Sequence, residues 1–133
     1  MRSMILADTG PLYASAVQKD AFHERANQEL QYLIQQGYNI TIPYTTLCEC
    51  YSLLSRRTHQ KLLIPWQKHI RKSFSQINPT QIDFHDACLL LETYHDQKIT
   101  MFDAILAVLS QKLEVPVWTF DRDFYILRAD EEE

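Results

Sequence analysis

The sequence predicts an α/β protein in which helices cover both faces of a parallel sheet. Three observations lead there. Short apolar or β-branched runs at 3–7 (SMILA), 38–43 (YNITIP) and 115–120 (VPVWTF) alternate with longer segments of helical periodicity. Segment 100–114 (TMFDAILAVLSQKLE) is almost wholly apolar from Ala104 to Leu109, the pattern of a helix buried on every side. A chain of 133 residues, 46% hydrophobic and 23% charged, can bury one sizeable core as an ordinary globular domain.

The elements follow in order. The first strand stops at Asp8-Thr9-Gly10-Pro11, a turn signal. Segment 23–37 sets Ala26, Leu30, Leu33 and Ile34 at helical spacing and ends on Gly37. After the 38–43 strand, segment 45–57 (TTLCECYSLLSRR) reads as a helix opened by threonine caps. A basic, helical stretch runs on to Phe74, broken or kinked at Pro65. Residues 76–80 suit a brief strand and turn, 80–96 a helix capped by Thr80, and 100–114 a helix with Thr100 three residues before Asp103. VPVWTF is the last strand. Residues 1–126 read as one domain without linker or repeat, and the acidic 127–133 as a tail.

Composition excludes several classes. No apolar run approaches the roughly 18 residues of a membrane span, and the N-terminus lacks the apolar stretch of a secretory signal, so a cytoplasmic protein is expected. Cys48, Cys50 and Cys88 have neither disulfide-framework nor zinc spacing and read as small buried thiols. Two glycines cannot make a Gly-rich phosphate loop.

The chemistry lies in the acids. Asp8 and Asp121 each follow a strand, and Glu49 lies in the helix after 38–43. In an open parallel sheet, strand ends and the starts of the helices after them share the edge where ligands bind. Each acid also has a plain structural reading. Asp8, Asp121 and Asp123 suit turns or caps, and Glu49 and Asp103 stand at capping-box distance from Thr46 and Thr100. Periodicity alone does not bring Asp103 to that edge, because it follows a helix.

These residues carry a resemblance. MILADTGPLYAS (4–15) resembles the opening of a PIN domain, whose first strand ends in Asp. FHERA (22–26) resembles its first long helix, and YTTLCECYSLL (44–54) its helix bearing an acid. MFDAILAVLSQKLEVPVWTFDRDF (101–124) is similar to the family's closing stretch, an Asp-Ala helix start, a strand, then Thr-x-Asp-x-Asp-Phe. The resemblance implies a three-layer α/β/α sandwich around a parallel sheet. It implies an acidic quartet of Asp8, Glu49, Asp103 and Asp121, with Asp123 a fifth member and Thr9 and Thr119 supporting.

A cluster of acids without His or Cys offers hard oxygen ligands, which suit Mg²⁺ or Mn²⁺ better than zinc. The resemblance implies a ribonuclease. On this reading Asp8, Asp103 and Asp121 hold metal, and Glu49 holds a second ion or orients water. The compact form is similar to the VapC-type toxin of a toxin–antitoxin pair, implying a small antitoxin partner and a homodimer. A housekeeping RNase of the same fold would read alike. A phosphatase with an Asp nucleophile would want a second acid where Gly10 stands.

Charge is unevenly distributed. Between Glu49 and Asp83 there is no acid, yet Arg56, Arg57, Lys61, Lys68, Arg71 and Lys72 fall there, a +6 segment in a chain of net −4. That segment is a candidate RNA contact, with Trp66 a stacking surface, or else a solvated helical face with Trp66 in the core or an interface.

Overall fold

Strand β1 (Met4–Ala7) sits inside the sheet because its neighbours on both sides are short, apolar and parallel to it. The computed structural model describes residues 3–121. It holds a sheet ordered β3-β2-β1-β4, with β2 at Asn39–Pro43, β3 at Ser75–Ile77 and β4 at Val117–Trp118, every pairing parallel. In the register, Leu6 stands opposite both Thr41 and Val117.

The period-two alternation of the strands divides the core into two layers. Ile5, Ala7, Ile40, Ile42 and Trp118 pack with Leu12, Ala26, Leu33, Leu54 and Ile70. These come from α1 (Thr9–Ala16), α2 (His23–Gln35), α3 (Tyr44–Arg57) and α4 (Leu63–Ser73). Leu6 and Val117 face the other way, onto Ala87 of α5 (Gln81–Thr93) and Ala104–Leu109 of α6 (Met101–Leu113). The result is the three-layer α/β/α sandwich that the sequence predicts.

Four local expectations change. The turn signal after β1 is the start of α1: Asp8 is its N-cap, and Pro11 falls in its first turn, where its missing N–H costs nothing. Helix α3 starts one residue earlier than its threonines imply and has no side-chain cap, because the chain passes straight from Pro43 into the helix. Pro65 does not kink a long helix. It lies in the first turn of α4, after a 3₁₀ turn at Gln60–Leu62. Of the cysteines, Cys50 alone is buried.

Other expectations stand. Gly37, at φ 84°, ends α2 in the left-handed region that favours glycine. Thr80 caps α5 and Thr100 caps α6, each in a reciprocal capping box, with Asp83 and Asp103 respectively. No helix among the described residues is long and apolar enough to cross a membrane.

Asp83 does more than cap. Its Oδ2 accepts from Thr80 N–H at 2.8 Å, and its Oδ1 accepts from Lys112 Nζ at 2.8 Å, tying α5 to α6. Burial acts to raise its carboxyl, but the bonds from Lys112 and Thr80 outweigh it and hold the group below the ordinary carboxylate value. A carboxylate depressed on folding adds stability above its unfolded pKa and loses it as pH falls through the folded value. Asp83→Asn should therefore cost about 1–2 kcal/mol at pH 7 and progressively less below pH ~4. Urea unfolding across that range checks it; a cost independent of pH would contradict the assignment.

Candidate functional site

Parallel strands bring their C-terminal ends to one edge, and the acids gather there. Asp8 leaves β1 in extended conformation, and its Oδ1 accepts from Thr9 N–H at 2.7 Å as the α1 cap. Its own N–H donates to Trp118 O at 3.0 Å, the last rung between β1 and β4. One residue further, Thr119 Oγ1 donates to Asp8 Oδ2 at 2.7 Å and accepts from Asp121 N–H at 3.0 Å. A single hydroxyl thus joins the ends of the first and last strands.

Glu49 arrives from α3. The sequence leaves it open as the partner of Thr46 in a capping box, but the cap position belongs to Pro43, and Thr46 is buried inside the first turn. Glu49 Oε1 instead accepts a short hydrogen bond from Thr9 Oγ1. Asp8 and Glu49 are therefore linked through one residue, Thr9, by its amide on one side and its hydroxyl on the other. The signal for this was Pro43, which has no side-chain acceptor with which to cap a helix.

Asp103 keeps its capping role, bonded to Thr100 at 3.1 and 3.2 Å, and also acts electrostatically on the cluster. Burial chiefly raises the Asp8 carboxyl above its ordinary value. The bonds from Thr119 and Thr9 oppose that, and the charges of Asp103 and Asp121 add to it. Burial likewise raises Glu49, opposed by Thr9 and reinforced by Asp8 and Asp103. Among the described residues, no Lys or Arg contributes to either shift. Asp8, Glu49, Asp103 and Asp121 thus form one electrostatic unit, while Asp123 lies outside the described residues, as do residues 127–133.

Among the described residues, no three His, Cys, Asp or Glu side chains are gathered tightly enough to enclose a metal ion unaided. The donor set still suits a hard divalent cation. It consists of carboxylates and hydroxyls, and Mg²⁺ keeps several waters and needs few protein ligands.

The basic residues stand apart from the acids. Arg56 and Arg57 end α3 seven and eight residues beyond Glu49, about 10–12 Å along the helix axis. Lys61 lies in the 3₁₀ turn, and Lys68, Arg71 and Lys72 on α4. All six are exposed, and none forms an ion pair among the described residues. Arg57 stacks 5.7 Å above the Tyr13 ring and lines a groove of about 880 Å³ with Leu54, Leu62 and Trp66. Trp66 is half-buried against the core. Burial, then the charge of Glu49, pushes the Cys50 thiol up to about 12, whereas Cys48 and Cys88 are exposed.

The PIN domain family matches residues 5–129, and the chain belongs to that family. Its fold is shared with VapC20 of Mycobacterium tuberculosis, described as a sarcin-ricin loop cleaving toxin. The two are 21% identical with a TM-score of 0.80, over 92% of this chain and 93% of that one. VapBC2 from Rickettsia felis, bound to a promoter DNA fragment, gives 0.73 at 12% identity, over 93% and 92%. A toxin–antitoxin complex from Klebsiella pneumoniae gives 0.67 at 18%, over 91% and 89%. At such identities the likeness is one of fold. No curated protein matches the chain.

Thr9→Val should remove the bond to Glu49 while keeping the shape of the side chain, costing about 1–2 kcal/mol, and Thr9→Ser should recover most of it. Denaturant unfolding of both variants checks this; equal stability of the Val and Ser forms would contradict the contact.

Proposed function

We propose that this chain is a divalent-metal-dependent endoribonuclease and the toxin of a type II toxin–antitoxin pair. The observation that carries the reading is the convergence of four acids on one sheet edge. Thr119 joins Asp8 to Asp121, Thr9 joins Asp8 to Glu49, and the charge of Asp103 reaches both Asp8 and Glu49. Membership of the PIN domain family and a fold shared with toxins and toxin–antitoxin complexes support it.

Asp8, Asp103 and Asp121 would hold Mg²⁺ or Mn²⁺, with Asp123 a further ligand and Glu49 orienting water or holding a second ion. Such an ion supplies an activated water and neutralises charge gathering on the phosphorus. The chain's own groups do the rest. Thr119 fixes the Asp8 carboxylate and the Asp121 backbone. Thr9 occupies Glu49 Oε1 and leaves Oε2 to take a proton from water as the water oxygen bonds to phosphorus, while the leaving ribose oxygen departs and takes a proton from solvent. Both Asp8 oxygens already accept hydrogen bonds, which fits a ligand better than the nucleophile of a phosphatase.

Arg56, Arg57, Lys61, Lys68, Arg71 and Lys72 would meet the RNA backbone beyond the cut. The partners on this reading are an antitoxin and a second copy of the chain, acting in the cytoplasm.

End-labelled RNA incubated with the purified protein tests the activity. Cleavage should require Mg²⁺ or Mn²⁺, and Asp8→Asn or Asp103→Asn should each lower the rate by about 10²-fold or more. Undiminished cleavage in EDTA would overturn the reading.

A further inference from the structure

We propose that Arg25, on the exposed side of α2, is a positioning residue for Asp121, acting with Glu29 as a clasp on the segment that follows β4. The inference rests on the reading of Asp121 as a member of the acidic site.

Strand β4 is two residues long and pairs with β1 on one side. Its ladder to β1 closes at the Trp118 carbonyl, two peptide units short of Phe120. Beyond that rung, the contacts among the described residues that hold the path are made by side chains. Backbone alternation sends Trp118 and Phe120 towards α2 and Thr119 towards Asp8. On the α2 side, Trp118 Nε1 donates to Glu29 Oε1 at 2.9 Å. The other oxygen of Glu29 accepts from Arg25 Nε at 3.0 Å, one helical turn away. The Arg25 guanidinium in turn lies 4.5 Å over the Phe120 ring. Phe22 completes the contact, its ring centroid 5.7 Å from that of Phe120.

These contacts form a closed loop: Trp118 to Glu29, Glu29 to Arg25, Arg25 to Phe120, and back to Trp118 through the chain. The residue enclosed in it is Thr119, whose hydroxyl binds Asp8 and the Asp121 amide. A helix that contributes no acid to the site thereby determines where the last acid stands. The geometry also explains why an exposed aromatic and an exposed cation are placed here. Phe22 and Arg25 would bury little by themselves, but together they cover Phe120. Opposite them, the Gly10 position leaves ordinary contact room, a Cβ there standing 3.7 Å from the same ring. Arginine suits the task because it can stack flat on a ring while its Nε bonds a carboxylate.

A clasp and a merely stabilising surface contact differ in where they act. In EDTA, amide–water exchange measured by NMR should show Asp121 exchanging roughly three- to tenfold faster in Arg25→Ala, with Leu106 in α6 unchanged. Arg25→Lys keeps a cation over the ring and should restore most of the protection. Glu29→Gln keeps an acceptor for Trp118 but removes the charge facing Arg25, and should give an intermediate rate. Titration with Mg²⁺, followed at the Asp121 amide, should show a midpoint raised by a similar factor in Arg25→Ala. Unchanged exchange at Asp121 would overturn the proposal, as would equal acceleration at Leu106, which would make the pair a general stabiliser. The exchange measurement involves no RNA, so an inactive wild-type protein would sink the nuclease reading while this result still decides the clasp.

Discussion

Asp8 Oδ2 accepts a hydrogen bond from Thr119, 111 positions along the chain. Much of the molecule is arranged so that this bond can form. The order β2-β1-β4 brings the first and last strands together, and their parallel sense puts Asp8 and Thr119 at the same edge. The other oxygen of Asp8 caps α1, which fixes Thr9, and Thr9 in turn holds Glu49. Two threonines therefore translate sheet topology into the placement of three acids. Thr9 sits next to Asp8 and Thr119 two positions before Asp121, so small shifts of backbone carry straight into the site.

The arrangement opposes its own stability. Gathering acids near a low-dielectric core disfavours their charged forms, and hydrogen bonds from threonines answer only part of that. Elsewhere the fold treats a buried acid differently. Asp83 has the same capping box as Asp103, yet Lys112 reaches it and Asp86 at 2.8 Å. Among the described residues the two capping boxes differ in charge balance: a lysine pairs with Asp83, whereas Asp103 adds its charge to the cluster. That contrast supports the proposal that a cation binds at this sheet edge.

The alternation of strands and helices, the buried α6, the Thr80 cap and the Thr100–Asp103 capping box were legible in the sequence, because each rests on local periodicity or on a residue three positions away. Asp8, Glu49 and Asp121 were legible as sharing one sheet edge once the sheet was read as parallel, and Asp103 joined them only through the resemblance; singly, each read as a turn or cap residue. What the sequence concealed depends on contacts across the chain. Thr9 with Glu49, and Glu29 with Trp118, join residues that no periodicity relates. The misread start of α1 has another cause: Asp-Thr-Gly-Pro favours a turn and a helix N-terminus equally, and packing of Leu12 and Ala14 into the core decides for the helix. The basic segment was legible as composition, but composition could not place it at the far end of α3 and on α4.

The account stands on the claim that the acidic cluster is incomplete without a divalent cation, and thermal unfolding of the wild type and Asp8→Asn, each in EDTA and in saturating Mg²⁺, tests it most directly. Asparagine can still cap α1 through Oδ1, and its Nδ2 can donate to Thr119 Oγ1 where Asp8 accepts from it, so the substitution removes charge while keeping a partner at both contacts. In EDTA the Asn form should be as stable as the wild type or more so. Mg²⁺ at about 100 times its dissociation constant should stabilise the wild type by about 2.7 kcal/mol and the Asn form far less. A wild type indifferent to Mg²⁺, beside an Asn form less stable than it in EDTA, would reduce Asp8 to a helix cap and contradict the account.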